Sequence, residues 1–485
     1  STPDVNTVPY LRMFRRVGNG GDPSSARGYR WRSSNTFIIS SMSMALFTDE
    51  MLFAFMVPLL PFILENRIGA KETETQRLTS AFLVEGALIS IVSGPLIGDI
   101  ADRVNSKKML LLILLVLTLI SVVCLSVTTS LAGLFVGRLF QSIVSNGLFI
   151  VSLATLAESI GPEHMGKIAG LASTLSAAGT FAGPVIAAFL FGFGGYWTAW
   201  AGAFLFLVVD IIMRLLMIEK PSHNPNDPQN QSRGETTVED TEQAPLLGEG
   251  QSEAATAVTE VQGWQFYVLL LRQPRFAAGI FCYFVFSLLI GCFQTTFAIH
   301  VREAFGWGVF PVGLLFAALQ GPGMVLSPLV GWLKDRMGSR TPTTFGFLSL
   351  APFLWLLGAA GDDRLQWATE GQRGKIIFGV CTGMIGCLIC LLNGVGTMEA
   401  TETIDALEAR YPGVFGQGRG YSRAIALTGM SWMSGLLVGP ILAGIIVERF
   451  GFFELQFILT LTSILAGLVA AFNLSPVARD KRVSE

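Results

Sequence analysis

The chain of 485 residues is 51% hydrophobic and only 14% charged, with a formal net charge of −2. An ordinary soluble domain carries about 25% charged residues, so the polar skin of a water-facing protein is missing, and the mean hydropathy of +0.56 fits lipid instead. The net charge says nothing about partners; the placement of the charges does.

Residues 1–35 are polar, carry Arg12, Arg15, Arg16, Arg27, Arg30 and Arg32, and read as a cytosolic tail without a signal peptide. Long charge-free runs follow, among them Met109 to Gly137, Ile168–Val209, Gly308–Leu333 and Ala424–Val447. About 20 apolar residues cross the roughly 30 Å of hydrocarbon in a bilayer. Breaks at Gly, Pro and charged clusters predict spans near 36–64, 78–101, 108–129, 131–157, 166–191 and 196–218, the last boundary resting on the glycines of Gly192–Gly195. These form an N-terminal six-helix bundle over 36–218. Residues 219–271 read as a disordered acidic cytosolic linker, with seven acidic residues between Glu235 and Glu260. Inside it, the stretch from Glu242 to Leu247 has the spacing of an acidic dileucine signal for a sorting adaptor. A second bundle over 272–475 holds spans near 275–301, 309–333, 342–360, 375–398, 419–447 and 452–474, and residues 476–485 form a cytosolic tail. The fold class is an all-α membrane protein: twelve transmembrane helices in two pseudo-symmetric six-helix bundles. With both termini cytosolic, 23 of the 33 basic residues fall on cytosolic segments, as the positive-inside rule requires.

Two motifs recur six spans apart. Gly98, Asp102-Arg103 and Lys108 follow the second span, and Gly331 and Asp335-Arg336 follow the eighth. Gly179…Gly183-Pro184 in the fifth span matches Gly435…Gly439-Pro440 in the eleventh. A lone GxxxG signals only close helix packing, but two matched pairs in order indicate parallel transporter repeats.

The Gly98…Asp102-Arg103…Lys108 stretch resembles the loop signature of the major facilitator superfamily. Gly137-Arg138-Leu-Phe-Gln141 is similar to its fourth-helix motif, Gly179…Gly183-Pro184 to the fifth-helix motif of its drug:proton antiporters, and the Asp49 segment to the first helix of vesicular amine transporters. The resemblance implies a proton-coupled antiporter that exports or sequesters an amphiphilic amine, drug or metabolite by alternating access. It gives a gating role to Gly98, Asp102, Arg103, Lys108, Gly179, Gly183, Pro184, Gly331, Asp335, Arg336, Gly439 and Pro440. The expected setting is a vacuolar or vesicular membrane, or the plasma membrane, for a monomer in lipid. The alternatives are an organic-anion facilitator or symporter and a transporter-like sensor.

Charges inside a membrane are costly and usually face a cavity or a partner. Four ionisable groups are read as lying well inside spans: Asp49, Glu50, Glu85 and Arg138. At 1.5 Å per residue, Asp49 lies roughly 20 Å from one face, and Glu85 and Arg138 roughly 10 Å from the other, so the three meet at about one level. Burial and a neighbouring Arg act on a carboxylate in opposite senses, so Asp49 beside Arg138 is suited to exchange a proton. Glu50 points about 100° away from Asp49 on the helix. Candidate substrate contacts are Gln141, Asn146, Gln294, Gln320 and Asn393, with Phe53, Phe297 and Trp432 as apolar or cation–π walls. Glu399 and Glu402 read as a solvated helix end or a second proton site. Three scattered His, six Cys within spans and no phosphate-binding loop argue against an enzyme, a metal site and a cofactor, and leave the proton gradient as energy source. The expected partners are a small molecule, protons and lipid, not nucleic acid.

Overall fold

The computed structural model describes residues 29–103, 107–160, 165–217, 264–362, 365–369, 372–411 and 421–474, and all regular elements among them are helices, without a strand. Helix α1, Asn35–Phe62, starts at the N-cap Ser34, whose side chain accepts from the Phe37 amide at 3.2 Å. Pro58 and Pro61 remove two backbone donors near its end, and the helix loosens into a π-helical turn, Ile63–Arg67. Then come α2 (Glu72–Arg103), α3 (Lys107–Val127) and α4 (Leu131–Ile160). The long helix Met165–Leu216 breaks at Gly195, where φ is 77°, giving α5 over 165–194 and α6 over 196–216.

The second half repeats the pattern with α7 (Pro274–Phe305), α8 (Val309–Met337) and α9 (Arg340–Ala359). Helix α10 is split into Gln372–Ile389 and Val395–Arg410 by a 3-10 turn and by Gly394 at φ 74°. It is followed by α11 (Tyr421–Arg449) and α12 (Phe452–Asn473). Ten described helical stretches are long and apolar enough to cross a membrane. One of them, Thr174–Leu216, bends at Gly195 into α5 and α6, and α2 is a further helix of 32 residues, long enough to span a bilayer. The described residues thus hold twelve such long helical elements.

Two boundaries differ from the sequence expectation: the tenth span, expected to end at 398, continues as helix to Arg410, and the linker ends early. The last eight residues of the expected disordered linker, Trp264–Leu271, form a helix. Phe266 and Leu270 are fully buried there against Phe276, Ile404 and Ala424, so apolar burial gives this end a reason to fold. The Glu242–Leu247 signal lies outside the described residues.

Each half is assembled in the same way. Small residues of α5 let α1 approach: a Cβ on Gly183 would stand 2.5 Å from the Met51 carbonyl oxygen and 2.9 Å from the Phe55 nitrogen. In the second half a Cβ on Gly439 would stand 2.8 Å from the Leu288 carbonyl oxygen of α7 and 3.1 Å from the Cys292 nitrogen. Met51 thus corresponds to Leu288 and Phe55 to Cys292. On the lipid side, Ile113, Val116, Ile120, Val123 and Val127 form an exposed apolar stripe along α3.

The halves meet through α2 with α11 and α5 with α8. Near the turn between α1 and α2, Gly444 lies against Ser80, and Gly313 against Ala188 and the Pro184 carbonyl. Met430 and Met324 continue those two stripes toward the end where the chain termini enter, yet they are 62% and 47% exposed. The halves are closed at the end of the α1–α2 turn and apart at the other.

Candidate functional site

The site grows from one face of α4. Arg138, Gln141, Ser142 and Ser145 follow at positions i, i+3, i+4 and i+7, which places a polar stripe on an otherwise apolar helix. The stripe faces inward: Arg138 is only 1% exposed, and Gln141 and Ser142 are buried. Arg138 Nη1 donates to Gln141 Oε1 at 2.9 Å. Its guanidinium carbon sits 4.4 Å from the Phe53 ring centre and 4.7 Å from that of Phe82, within cation–π range of both. Gly86 of α2 makes room for it, since a Cβ there would stand 2.8 Å from Arg138 Nη2. Arg138 Nε and Nη2 have no hydrogen-bond acceptor among the described residues.

Asp49, buried on α1, accepts a hydrogen bond from Ser145 Oγ at the far end of the stripe. Asp49 and Glu85 both act electrostatically on Arg138, without a direct ion pair to either. The half-buried Glu85 has one carboxylate oxygen without a partner among the described residues. The three groups thus share one neighbourhood, with Gln141 and Ser145 as the direct partners. Glu50 faces α5 instead, where Thr180 Oγ1 donates to its Oε2 at 3.3 Å.

The other substrate candidates divide. Asn146 Nδ2 donates to the Ser90 carbonyl at 2.8 Å and to Ser93 Oγ at 3.0 Å, so its amide ties α4 to α2. Gln294 is buried and Gln320 half-buried. Asn393 is exposed at the break in α10, and its carbonyl accepts from Lys334 Nζ at 2.6 Å. Phe297 is fully buried among Phe293, Phe316 and Phe378, in the core of the second half rather than on a cavity wall. Trp432 of α11 packs on Tyr283 and Phe286 of α7, with ring centres 5.0 and 5.1 Å away.

Among the gating candidates, Gly179, Gly183 and Pro184 sit at the α1–α5 and α5–α8 contacts, and Gly439 and Pro440 at the α7–α11 contact. Lys108 Nζ donates to the Met217 carbonyl, and Arg32 Nε to the Leu216 carbonyl at 2.6 Å, so two cations cap the C-terminus of α6. Gly331 is open and exposed, and Arg336 stacks over Trp332 at 4.3 Å. Gly98, Asp102, Arg103 and Asp335 lie on their helices, but their side chains fall outside the described ones.

Sequence reasoning missed three features. Asp210 and Arg214 of α6 are both fully buried, with Asp210 Oδ1 and Arg214 Nη2 3.9 Å apart; an acid four residues before a base in an apolar run was the available signal. Glu399 is not a solvated helix end. It is fully buried, and Arg275 Nε donates to it at 2.5 Å, while Ser339 Oγ donates to its other oxygen. Lastly, Arg302 of α7 donates to Glu65 in the π-turn of α1, and Thr75 donates to the other oxygen of Glu65 at 2.6 Å. Glu65 and Arg302 are 237 residues apart, the same separation that relates Met51 to Leu288 and Phe55 to Cys292. The pair therefore joins equivalent positions of the two repeats, across their pseudo-two-fold axis.

Residues 41–398 match the profile of the Major Facilitator Superfamily. The chain belongs to this family. It is therefore a multi-pass membrane transporter for a small molecule and not an enzyme. It is 26% identical over 451 residues to the MFS-type transporter ppzB of Metarhizium rileyi (strain RCEF 4871), an alignment covering 87% of this chain and 92% of that one. The tetracycline resistance protein, class E, of Escherichia coli is 23% identical over 326 residues, 66% of this chain and 72% of that protein. The crystal structure of a D-xylose-proton symporter superposes with a TM-score of 0.62 at 14% identity, covering 91% of this chain and 98% of the other, and shares the fold.

Proposed function

We propose that this transporter is a proton-coupled antiporter that exports or sequesters a small amphiphilic organic molecule, an amine, drug or metabolite. The observation that carries this reading is Asp49: a buried carboxylate on a central helix, held by Ser145 Oγ and placed near Arg138 without being locked into an ion pair with it. Such a carboxylate is free to exchange one cation for another. Proton and cationic substrate compete for Asp49, each leaving when the other binds, and alternating access makes the exchange vectorial. The tetracycline resistance relative is in keeping with a drug-like substrate.

In this scheme the described conformation is open toward the cytosol, and the Glu65–Arg302 pair closes the outer end. The family fold needs no cofactor for the cycle; the proton gradient supplies the energy. The setting is a vacuolar, vesicular or plasma membrane with both termini cytosolic.

The test is substrate-induced proton movement in proteoliposomes containing a trapped pH dye, with wild type and Asp49→Asn compared over a panel of amines, drugs and organic acids. At least one amine or drug should collapse an imposed pH gradient through wild type and not through Asp49→Asn. Equal coupling in both proteins would remove Asp49 from the mechanism. A second reading, an organic-anion symporter, is favoured by Nε and Nη2 of Arg138, which have no acceptor among the described residues. It requires that organic acids, and not amines, drive proton flux, and that Arg138→Gln abolish that flux.

A further inference from the structure

The antiport reading leaves one buried ionisable pair without a task. Asp210 and Arg214 lie one turn apart on α6, and neither side chain is exposed. Among the described residues, neither carboxylate oxygen of Asp210 has a hydrogen-bond donor. Its nearest cation, Arg214 Nη2, is 3.9 Å away, an ion pair but beyond hydrogen-bond reach. An ionised carboxylate inside a membrane helix with no donor at either oxygen is costly, and a purely structural acid would be expected to have found one.

The surroundings connect this acid to α1. The ring of Phe47 lies 6.1 Å from that of Phe206. Two turns along, Arg214 Nη1 is 2.9 Å from Met42 Sδ, and Arg214 Nη2 donates to the Ser41 carbonyl at 3.4 Å. Helices α1 and α6 thus run antiparallel in contact, and Asp210 sits between these two anchor points, within electrostatic reach of Asp49. Among the described residues, the charged groups that face it are Asp49 from α1 and Arg214 from its own helix. Lys108 of α3 and Arg32 lie beyond the end of α6, turned to its terminal carbonyls. Arg214 is therefore shared between a carboxylate on α6 and the backbone of α1, the helix that carries Asp49.

We propose that Asp210 is a second proton-exchanging carboxylate of the transport cycle, engaged and released by Arg214 as α1 moves against α6. This rests on the antiport reading of Asp49. When α1 draws Arg214 toward Ser41, Asp210 loses its cation and takes a proton from hydronium, forming one O–H bond and leaving water. When Arg214 returns, the proton goes back to water and the ion pair re-forms. No other bond changes. Two neighbouring buried acids then bind protons in a coupled way, and the position of α1 reports the state of both.

The test does not require the substrate. Purified full-length protein in lipid nanodiscs is titrated while infrared difference spectroscopy follows the C=O stretch of protonated carboxyl groups. The pair predicts that Asp210→Asn removes a titrating band that persists in Asp49→Asn. Arg214→Gln should keep that band but move its midpoint by about one pH unit or more, a tenfold change in proton affinity. The double variant Asp210→Asn/Arg214→Gln, which leaves no lone buried charge, guards against misfolding of the single variants and should lack the same band. If the band set of Asp210→Asn and of the double variant equals that of wild type, the proposal is overturned. If instead Asp49→Asn leaves every titrating band in place, the antiport reading of Asp49 fails, and that result is separable from the Asp210 outcome.

Discussion

At the scale of single residues, the polar stripe of α4 separates chemistry from packing. Gln141 is the acceptor for the buried Arg138 guanidinium, and its loss strands a buried N–H. Gln141→Ala should therefore destabilise the protein by about 1–3 kcal/mol, read as a lower melting temperature in detergent, together with an altered pH dependence of transport. Asn146 lies one residue beyond the stripe but turns to α2. Hydrogen bonds between membrane helices average about 0.6 kcal/mol, so Asn146→Ala should cost about that much and leave the substrate KM unchanged. A matching rise in KM would put Asn146 in the substrate site after all. The positions Asp49 and Phe286 are equivalent across the repeats by the 237-residue separation. One half thus places a charge where the other places a ring that packs on Trp432.

At the scale of helices, glycine sets how closely pairs approach. Gly183 and Gly439 hold α5 and α11 against α1 and α7 through backbone contact, so an added methyl has nowhere to go. Gly183→Ala and Gly439→Ala should each overpack their seam and cost about 1–3 kcal/mol in thermal stability. Gly331→Ala meets open space and is the control, with an effect within about 0.5 kcal/mol. Equal melting temperatures for all three variants would mean that the seams yield without strain. The π-turn at the end of α1 has a different cause. Pro58 and Pro61 loosen the helix just before Glu65, so the residue that reaches the other half is carried on a segment able to shift.

At the scale of the whole molecule, the Glu65–Arg302 pair and the α2–α11 and α5–α8 seams close one end, while exposed Met430 and Met324 mark where the halves separate. Breaking the pair should release the closed end. Arg302→Glu is expected to raise labelling of a cysteine introduced near Ser80 by a membrane-impermeant thiol reagent from the α1–α2-turn side. The swap Glu65→Arg/Arg302→Glu should bring labelling back toward wild type. A swap that labels as fast as the single variant would show that the pair does not latch the halves.

The length of the uncharged runs, the paired motifs and the isolated charges of α1, α2 and α4 were enough to specify a helical membrane protein of two repeats with Asp49, Glu85 and Arg138 set inside its spans. These features depend on hydrophobic thickness and helical rise, which are local and periodic. Direct partners were not legible in the same way. Ser145 on Asp49, Arg302 on Glu65 and Arg275 on Glu399 join residues far apart in the chain. Phe297 looks like any aromatic in a span until its burial among three other rings is seen. The helix Trp264–Leu271 folds because of a pocket made by α7, α10 and α11, which its own eight residues do not announce. By itself the sequence determined the membrane class, the repeat and the isolated charges of α1, α2 and α4, because the bilayer imposes length and polarity on each segment separately. The tertiary structure alone decided which charges share a partner and which end of the molecule is closed, because both depend on the packing of helices from opposite ends of the chain.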